Sequence, residues 1–151
     1  MAITAGPSPL HEAVAGRLSM LDQRYTAHRR VLVETVAAAG RPLTVPEILA
    51  AAPALPQSSA YRNVTTLIEA GVLRRISGTD DHGRLELAEA LAGHHHHLVC
   101  ASCGRVEDID PPAALERALG DAVRAVSRAQ GYEITEHRLD LEGLCPNCRL
   151  R

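Results

Sequence analysis

Four cysteines occur as two pairs with the spacing of metal ligands, Cys100-Ala-Ser-Cys103 and Cys145-Pro-Asn-Cys148. Two residues between paired cysteines let both thiolates approach one ion at tetrahedral angles, and four thiolates close its coordination shell. The two pairs therefore predict one structural zinc ion. A redox-active pair in a thioredoxin-like fold is the alternative, but such a fold uses one pair beside an early βαβ unit, which this sequence does not show.

Four consecutive histidines, 94 to 97, directly precede the first cysteine pair. On a strand, successive side chains point to opposite faces, so His94 and His96 would share one face and His95 and His97 the other. One run could then serve two metal sites. Imidazole binds zinc, iron, nickel or copper, and nearby carboxylates favour iron and manganese. A solvated polar edge is the alternative interpretation.

His137 is a further candidate ligand, because it lies in a strand predicted over 132–144 and has the parity of the apolar Leu139. An inward imidazole without a partner is costly, and either a hydrogen bond or a metal would remove that cost. Glu116, on the helix predicted before this strand, could supply the carboxylate of a four-ligand set.

The residues ahead of these ligands predict three helices followed by a strand hairpin, the order of a winged helix-turn-helix. The signals are Thr26, the capping box Thr44–Glu47, Ser58 or Ser59 as a third cap, and strands at 72–77 and 84–87. A generic three-helix bundle with a hairpin fits the same pattern, so the pattern alone does not fix DNA binding.

The second half of the chain alternates strand and helix in a different order. Strands are predicted at 94–101 and 105–109, a helix begins near Asp110-Pro111-Pro112 and ends at Gly131, and the strand over 132–144 follows. One face of the helix is apolar and consists of Leu115, Leu119, Ala122, Val123 and Val126. Small residues between the two halves, at 88–93, predict a hinge.

Composition narrows the class of protein. The chain has no Phe or Trp and three Tyr, so its core must be aliphatic, and two small domains of this kind gain stability from dimerisation or a bound metal. No run reaches the roughly 18 apolar residues of a membrane span, and the N-terminus lacks a secretory pattern. We therefore expect no membrane partner, a cytoplasmic location and reduced cysteines.

Charge is unevenly distributed, although the net charge is only −2. Residues 17–75 contain eight arginines and four acidic residues, and arginine suits bidentate contacts to phosphate or guanine. The sequence shows no nucleophile–base pair, phosphate loop or His-Glu-x-x-His helix, so an enzyme such as a zinc hydrolase is disfavoured.

The sequence resembles the ferric uptake regulator superfamily over nearly its whole length, and its histidine run is similar to that of zinc-responsive members, although their typical Asp and Cys ligands are not evident. The residues that carry the resemblance are Ser59-Ala-Tyr61-Arg62-Asn63-Val64, Leu67-Ile-Glu-Ala-Gly71, the run from His94 through Cys100-Ala-Ser-Cys103-Gly104, and the run from Glu136-His137 to Cys145-Pro-Asn-Cys148.

This resemblance implies an α+β protein with an N-terminal winged-helix DNA-binding domain (1–88), a hinge (89–93) and a C-terminal α/β dimerisation and metal-binding domain (94–151). It also implies a homodimeric repressor that binds palindromic operator DNA when loaded with metal. A metal-storage or metal-delivery protein without a DNA partner is the alternative. Beside the structural zinc, a second divalent metal is expected, with Zn²⁺ favoured over Fe²⁺ or Mn²⁺.

The resemblance also implies particular residues. The expected interdomain metal site consists of His94, His96, Glu116 and His137, and the expected sensing site of Glu86, His95, His97 and Asp108. The expected DNA contacts are Tyr61, Arg62, Arg29, Ser59, Asn63 and Thr65. At Leu43 the family has a histidine ligand, so the sensing set departs from the pattern there, and Asp80, Asp81, His82 or Glu89 are candidates to compensate.

Overall fold

A computed structural model of the chain describes residues 8–76 and 83–150. These residues form two compact units, the first ending at His94 and the second beginning at His95. Both units contain helices and strands, which confirms the predicted α+β class. None of the described helices is long and apolar enough to cross a membrane.

The N-terminal unit is a winged helix. Its elements are α1 (Pro9–Ser19), α2 (Ala27–Ala39), α3 (Val45–Ala51), α4 (Gln57–Glu69), β1 (Leu73–Ile76), β2 (Arg84–Leu87) and α5 (Glu89–Ala92). The predicted caps set two of these boundaries. Thr26 Oγ1 accepts a hydrogen bond from the backbone of Arg29 before α2, and Thr44 and Glu47 form a reciprocal capping box at α3.

Two helices of this unit were not predicted, and one predicted helix cap was wrong. The sequence pattern did not reveal α1, which buries only Val14 and Leu18. The predicted serine cap of α4 is absent, because Pro56 occupies the N-cap position and the Ser59 hydroxyl donates to its carbonyl at 3.0 Å. The segment predicted as a hinge contains the short helix α5. The predicted turn of the hairpin falls largely on 77–82, outside the described residues.

The core of the N-terminal unit is aliphatic, as the composition requires. Leu32, Ile48, Leu67 and Leu85, from α2, α3, α4 and β2, have no exposed surface. Strands β1 and β2 pair antiparallel, and Leu43 adds a bridge to Leu85 with N–O distances of 2.9 and 2.7 Å. Packing of α4 against α2 and α3 through this core fixes which of its side chains face outward.

The C-terminal unit is a three-stranded sheet with one long helix. Its elements are β3 (His96–Cys100), β4 (Val106–Ile109), α6 (Ala113–Gln130), β5 (Asp140–Gly143) and α7 (Pro146–Arg149). Strand β3 is central, antiparallel to β4 and parallel to β5. This order places His96 and His97, the second half of the histidine run, between two other strands.

Two strand predictions for this unit need correction. The strand expected over 132–144 forms only at 140–143, because β5 pairs with β3 alone and β3 is five residues long. A strand persists only where its backbone finds hydrogen-bond partners. The strand expected from residue 94 begins at His96, so the alternation of faces applies only to the second half of the histidine run.

Helix α6 has the predicted apolar face, yet none of its residues is buried within this chain. Leu115 is 38% exposed and Val126 is 51% exposed. An exposed apolar stripe along an 18-residue helix is unusual for a surface that stays in water.

Candidate metal centres and nucleic-acid interface

The four cysteines form one cluster at the end of the sheet. Cys100 ends β3, Cys103 lies in the following turn, and Cys145 and Cys148 lie at the start and within α7. Their four Sγ atoms lie within 4.8 Å of one another, and those of Cys103 and Cys145 are 3.9 Å apart. A tetrahedral zinc ion with Zn–S bonds of about 2.3 Å requires sulfurs about 3.8 Å apart, so this donor set fits zinc.

The local hydrogen bonds favour ionisation of one thiol over another. The backbone N–H of Cys145 donates to Cys100 Sγ at 3.3 Å, and together with the backbone N–H groups of Cys103 and Ser102 it lowers the pKa of that thiol to about 6. For Cys148, a hydrogen bond with the Ser102 hydroxyl lowers the pKa, but the thiols of Cys145 and Cys103 outweigh it and raise the value to about 11. Crowded thiolates repel one another, and a divalent cation removes that penalty.

A second cluster joins β3, α6 and the segment before β5. His96 is 1% exposed, and its Nε2 lies 2.9 Å from Glu116 Oε2. His137 Nε2 lies 3.3 Å from the other oxygen, Glu116 Oε1, and the two imidazole centroids are 5.4 Å apart. Three residues of the predicted interdomain set are therefore together, with ligand atoms within 4.8 Å. His94 belongs to the N-terminal unit, where its Nδ1 lies 2.5 Å from Glu89 Oε1.

A third cluster contains His95, His97 and Asp108. The rings of His95 and His97 meet edge to face with centroids 5.2 Å apart, and His97 Nε2 lies 3.9 Å from Asp108 Oδ1. The fourth predicted member, Glu86, is on β2 in the N-terminal unit, 5% exposed and paired with Arg74.

At the position of the expected additional histidine, Leu43 is 5% exposed and belongs to the apolar core of the N-terminal unit. A leucine side chain offers no ligand atom. Of the candidates to compensate, Glu89 pairs with His94 and Arg74, and residues 80–82 lie outside the described part of the chain.

Helix α4 presents most of the predicted DNA contacts. Tyr61 is 50% exposed, Arg62 and Thr65 are exposed, and Ser59 is half-buried. The exposure of these side chains follows from the packing of α4, which buries Ala60, Val64 and Leu67 on its opposite face.

Arg29 and Asn63, the other two predicted DNA contacts, are connected to each other. Arg29 is 9% exposed, and its Nε donates to Asn63 Oδ1 at 3.1 Å. Its two terminal nitrogens donate to the carbonyl of Arg24 at 2.6 Å and to Gln23 Oε1 at 2.9 Å. The guanidinium thus connects α2, α4 and the loop before α2.

Sequence reasoning missed Asp140, whose Oδ1 lies 3.1 Å from His97 Nδ1. The only hint in the sequence was that Asp140 lies between Leu139 and Leu141. The alternation of side chains along a strand places it on the face opposite His137, and it does not indicate a contact with His97. The parallel pairing of β3 with β5, which brings it to His97, is not encoded locally.

The comparison with protein-family models matches residues 21–142 to the ferric uptake regulator family. The chain belongs to the ferric uptake regulator family. This confirms the resemblance drawn from the histidine and cysteine motifs, whereas assignment to the zinc-responsive subgroup stays a prediction.

Relatives of this ferric uptake regulator family member are regulators of metal uptake and peroxide response. The ferric uptake regulation protein of Bacillus subtilis is 34% identical over 97 residues, which cover 64% of this chain and 62% of that protein. The peroxide-responsive repressor PerR of Staphylococcus aureus is 24% identical over 144 residues, covering 93% and 91%. The chain spans about three fifths of the length of the ferric uptake regulation proteins that it matches.

Solved structures share the fold of this family member. The ferric uptake regulator Fur of Helicobacter pylori has a TM-score of 0.74 at 18% identity, covering 99% of this chain and 97% of that one. A zinc-bound manganese uptake regulator has a TM-score of 0.64 at 26% identity, covering 90% and 98%.

Proposed function

We propose that this protein is a metal-responsive transcriptional repressor that binds palindromic operator DNA as a homodimer when its sensing metal is bound. The proposal depends on one observation: the same chain contains a winged helix with an exposed face on α4 and three clusters of metal-ligating side chains. Its regulator relatives support the same function. On this proposal the protein is cytoplasmic and is not an enzyme.

The DNA-reading surface would be the outward face of α4. Tyr61, Arg62 and Thr65 are exposed there, and Ser59 lies near its first turn. Arginine donates to guanine or phosphate in a fixed bidentate geometry, so Arg62 is the principal candidate for specificity.

Arg29 and Asn63 would contribute in a different way from the direct contact that the family resemblance implied. Arg29 donates through Nε, Nη1 and Nη2 to partners inside the N-terminal unit, and Asn63 Oδ1 is one of them. These bonds favour a role in which both residues fix the orientation of α4, leaving the contact with DNA to the residues on its exposed face.

The three clusters would have separate metals and roles. The cysteines would hold structural zinc, which organises the C-terminal unit. Within the C-terminal unit, His96, Glu116 and His137 would hold one divalent metal, and His95, His97 and Asp108 would form the sensing site. The Helicobacter pylori relative has three functional metal-binding sites. The histidine donors favour Zn²⁺ for sensing, and the carboxylates beside them make Fe²⁺ and Mn²⁺ the other candidates.

Dimerisation would use the apolar face of α6. Leu115 and Val126 are exposed on an 18-residue helix that buries none of its residues in this chain. Association of two copies would cover this stripe, and it would present two α4 helices to the two halves of a palindrome.

The test is operator binding with and without metal. An operator is first selected from random duplexes, and affinity is measured by fluorescence anisotropy on protein stripped at the histidine clusters but retaining cysteine-bound zinc. We expect Zn²⁺, Fe²⁺ or Mn²⁺ to raise affinity at least about tenfold, a coupling of about 1.4 kcal/mol. Unchanged affinity with all three ions would refute the proposal.

Arg62→Ala separates the regulator from a metal-storage or metal-delivery protein. A regulator should lose affinity for DNA and keep its metal stoichiometry. A carrier would bind the same metals and show no specific DNA affinity in either form.

A further inference from the structure

His97 lies between two carboxylates, one on each neighbouring strand. It is the register partner of Asp108 in β4 and of Asp140 in β5, so all three residues occupy one row of the sheet. His97 Nε2 is 3.9 Å from Asp108 Oδ1, and Nδ1 is 3.1 Å from Asp140 Oδ1. The two ring nitrogens therefore face different acids.

The two distances correspond to different interactions. A separation of 3.1 Å is that of a hydrogen bond, and a carboxylate can only accept, so His97 Nδ1 must carry the proton. A separation of 3.9 Å is too long for a hydrogen bond. An ion bound about 2.1 Å from each ligand atom fits between two atoms up to about 4.2 Å apart, so a cation can lie between Nε2 and Asp108.

We propose that Asp140 is a positioning residue for the sensing site: it accepts the Nδ1–H of His97 and thereby directs the Nε2 lone pair towards the metal. This rests on the proposed function of the His95, His97 and Asp108 cluster. A neutral imidazole carries one proton, and the nitrogen that donates determines which nitrogen can ligate. His97 is 4% exposed, so its imidazole depends mainly on protein partners for its hydrogen bonds.

Asp140 differs in this role from a simple source of negative charge. Glu142 is also on β5, exposed, and opposite Val99 in the same register. Glu142 carries the same negative charge on the same strand as Asp140, but its register partner on β3 is Val99 and not a histidine. Glu142→Ala is therefore a matched control for Asp140→Ala, and Asp140→Asn keeps an oxygen that can still accept from Nδ1–H.

The experiment measures metal affinity and histidine tautomer on the full chain with cysteine-bound zinc retained. A His137→Ala background removes a ligand of the other histidine cluster, and Zn²⁺ is titrated in competition with a chromophoric chelator. We expect Asp140→Ala to weaken binding about 10- to 100-fold, Asp140→Asn to weaken it less, and Glu142→Ala to leave it unchanged. Ring-nitrogen NMR without added Zn²⁺ should show His97 protonated at Nδ1 in the background chain and Glu142→Ala, but not uniformly in Asp140→Ala.

Three results would overturn the role of Asp140: equal Zn²⁺ affinity in Asp140→Ala and the background chain, protonation of His97 at Nε2, or weakened binding with an unchanged tautomer. The last result would make Asp140 a direct ligand. Failure of the background chain itself to bind Zn²⁺ would instead refute the proposed sensing site. In that case the tautomer of His97 would still show whether its Nδ1–H donates to Asp140. Zinc content at the cysteines and the far-UV circular dichroism spectrum show whether each variant is folded.

Discussion

Replacing Arg29 by lysine should destabilise the N-terminal unit even though the positive charge is kept. The guanidinium donates in three fixed directions, to Asn63, Arg24 and Gln23. A lysine ammonium on a flexible stem cannot reproduce this fork. Because one of the three partners is on α4, we also expect the orientation of that helix to change.

The magnitude follows from the bonds that are lost. A hydrogen bond with a charged donor contributes about 1.5–3 kcal/mol net, and the bond to the exposed Gln23 contributes least. Arg29→Ala should therefore lower the free energy of unfolding by about 3 kcal/mol, and Asn63→Ala by about 1.5 kcal/mol. The double variant should resemble Arg29→Ala, since the shared bond is already absent, which gives a coupling of about 1.5 kcal/mol.

The assay combines unfolding with DNA binding. Urea unfolding followed by circular dichroism gives the stability of each variant, and anisotropy at several salt concentrations gives its affinity for operator and random DNA. If Arg29 positions α4, Arg29→Lys and Asn63→Ala should both reduce the preference for operator DNA and leave the salt dependence unchanged. A phosphate contact would instead lower the slope of log K against log salt by about 0.9 in Arg29→Ala.

The reasoning would be refuted by an Arg29→Lys variant with wild-type stability and wild-type operator affinity, together with a reduced salt slope in Arg29→Ala. That combination is expected of a point charge that contacts DNA directly. Additive effects of Arg29→Ala and Asn63→Ala on stability would also count against the shared bond.

Three further perturbations test other parts of the protein. Cys103→Ser should release zinc and unfold the C-terminal unit, because a closed thiolate site contributes to folding; full zinc content by mass spectrometry with an unchanged circular dichroism spectrum would contradict this. Burial alone would raise the pKa of Glu47, but hydrogen bonds from the Thr44 backbone and Arg41 lower it below its ordinary 4.5. The carboxylate therefore stabilises the fold at pH above 4.5 and loses this effect as pH falls through its lowered pKa. In urea unfolding, Glu47→Gln should have a lower free energy of unfolding than wild type at pH 7, and the two values should converge in acid. If the apolar face of α6 forms the proposed dimer interface, Val126→Asp should be monomeric in sedimentation equilibrium, whereas wild type and Arg117→Asp, on the opposite face of α6, should be dimeric; a dimeric Val126→Asp protein would exclude this face.

Features encoded by short sequence spacing were predictable. The capping box of Thr44 and Glu47 fixes the start of α3 through atoms three residues apart. Gly40, with a φ of 61°, likewise ends α2 in the left-handed conformation that glycine adopts readily. The cysteine cluster was predictable for a different reason, since two pairs of cysteines with this spacing are typical of one tetrahedral metal site.

Features that depend on distant pairing were not predictable. Alternating apolar residues made 132–144 look like one strand, but only the part opposite β3 finds hydrogen-bond partners. The family resemblance implied a DNA contact for Arg29, and only its burial beside Asn63 reveals the internal network. In both cases the deciding partner lies far away in the chain, and no local pattern specifies it.

The parallel pairing of β3 with β5 also imposes a sequence of events on biosynthesis. His97 and Asp140 are 43 residues apart, which a ribosome translates in about 2–9 seconds. During that interval the nascent chain contains the histidine run, Cys100 and Cys103. It does not yet contain β5, Cys145 or Cys148, which complete the clusters. On the proposed function, the four-cysteine zinc site can be completed only after Cys148 has been translated, whereas all residues of the N-terminal unit precede it in the chain.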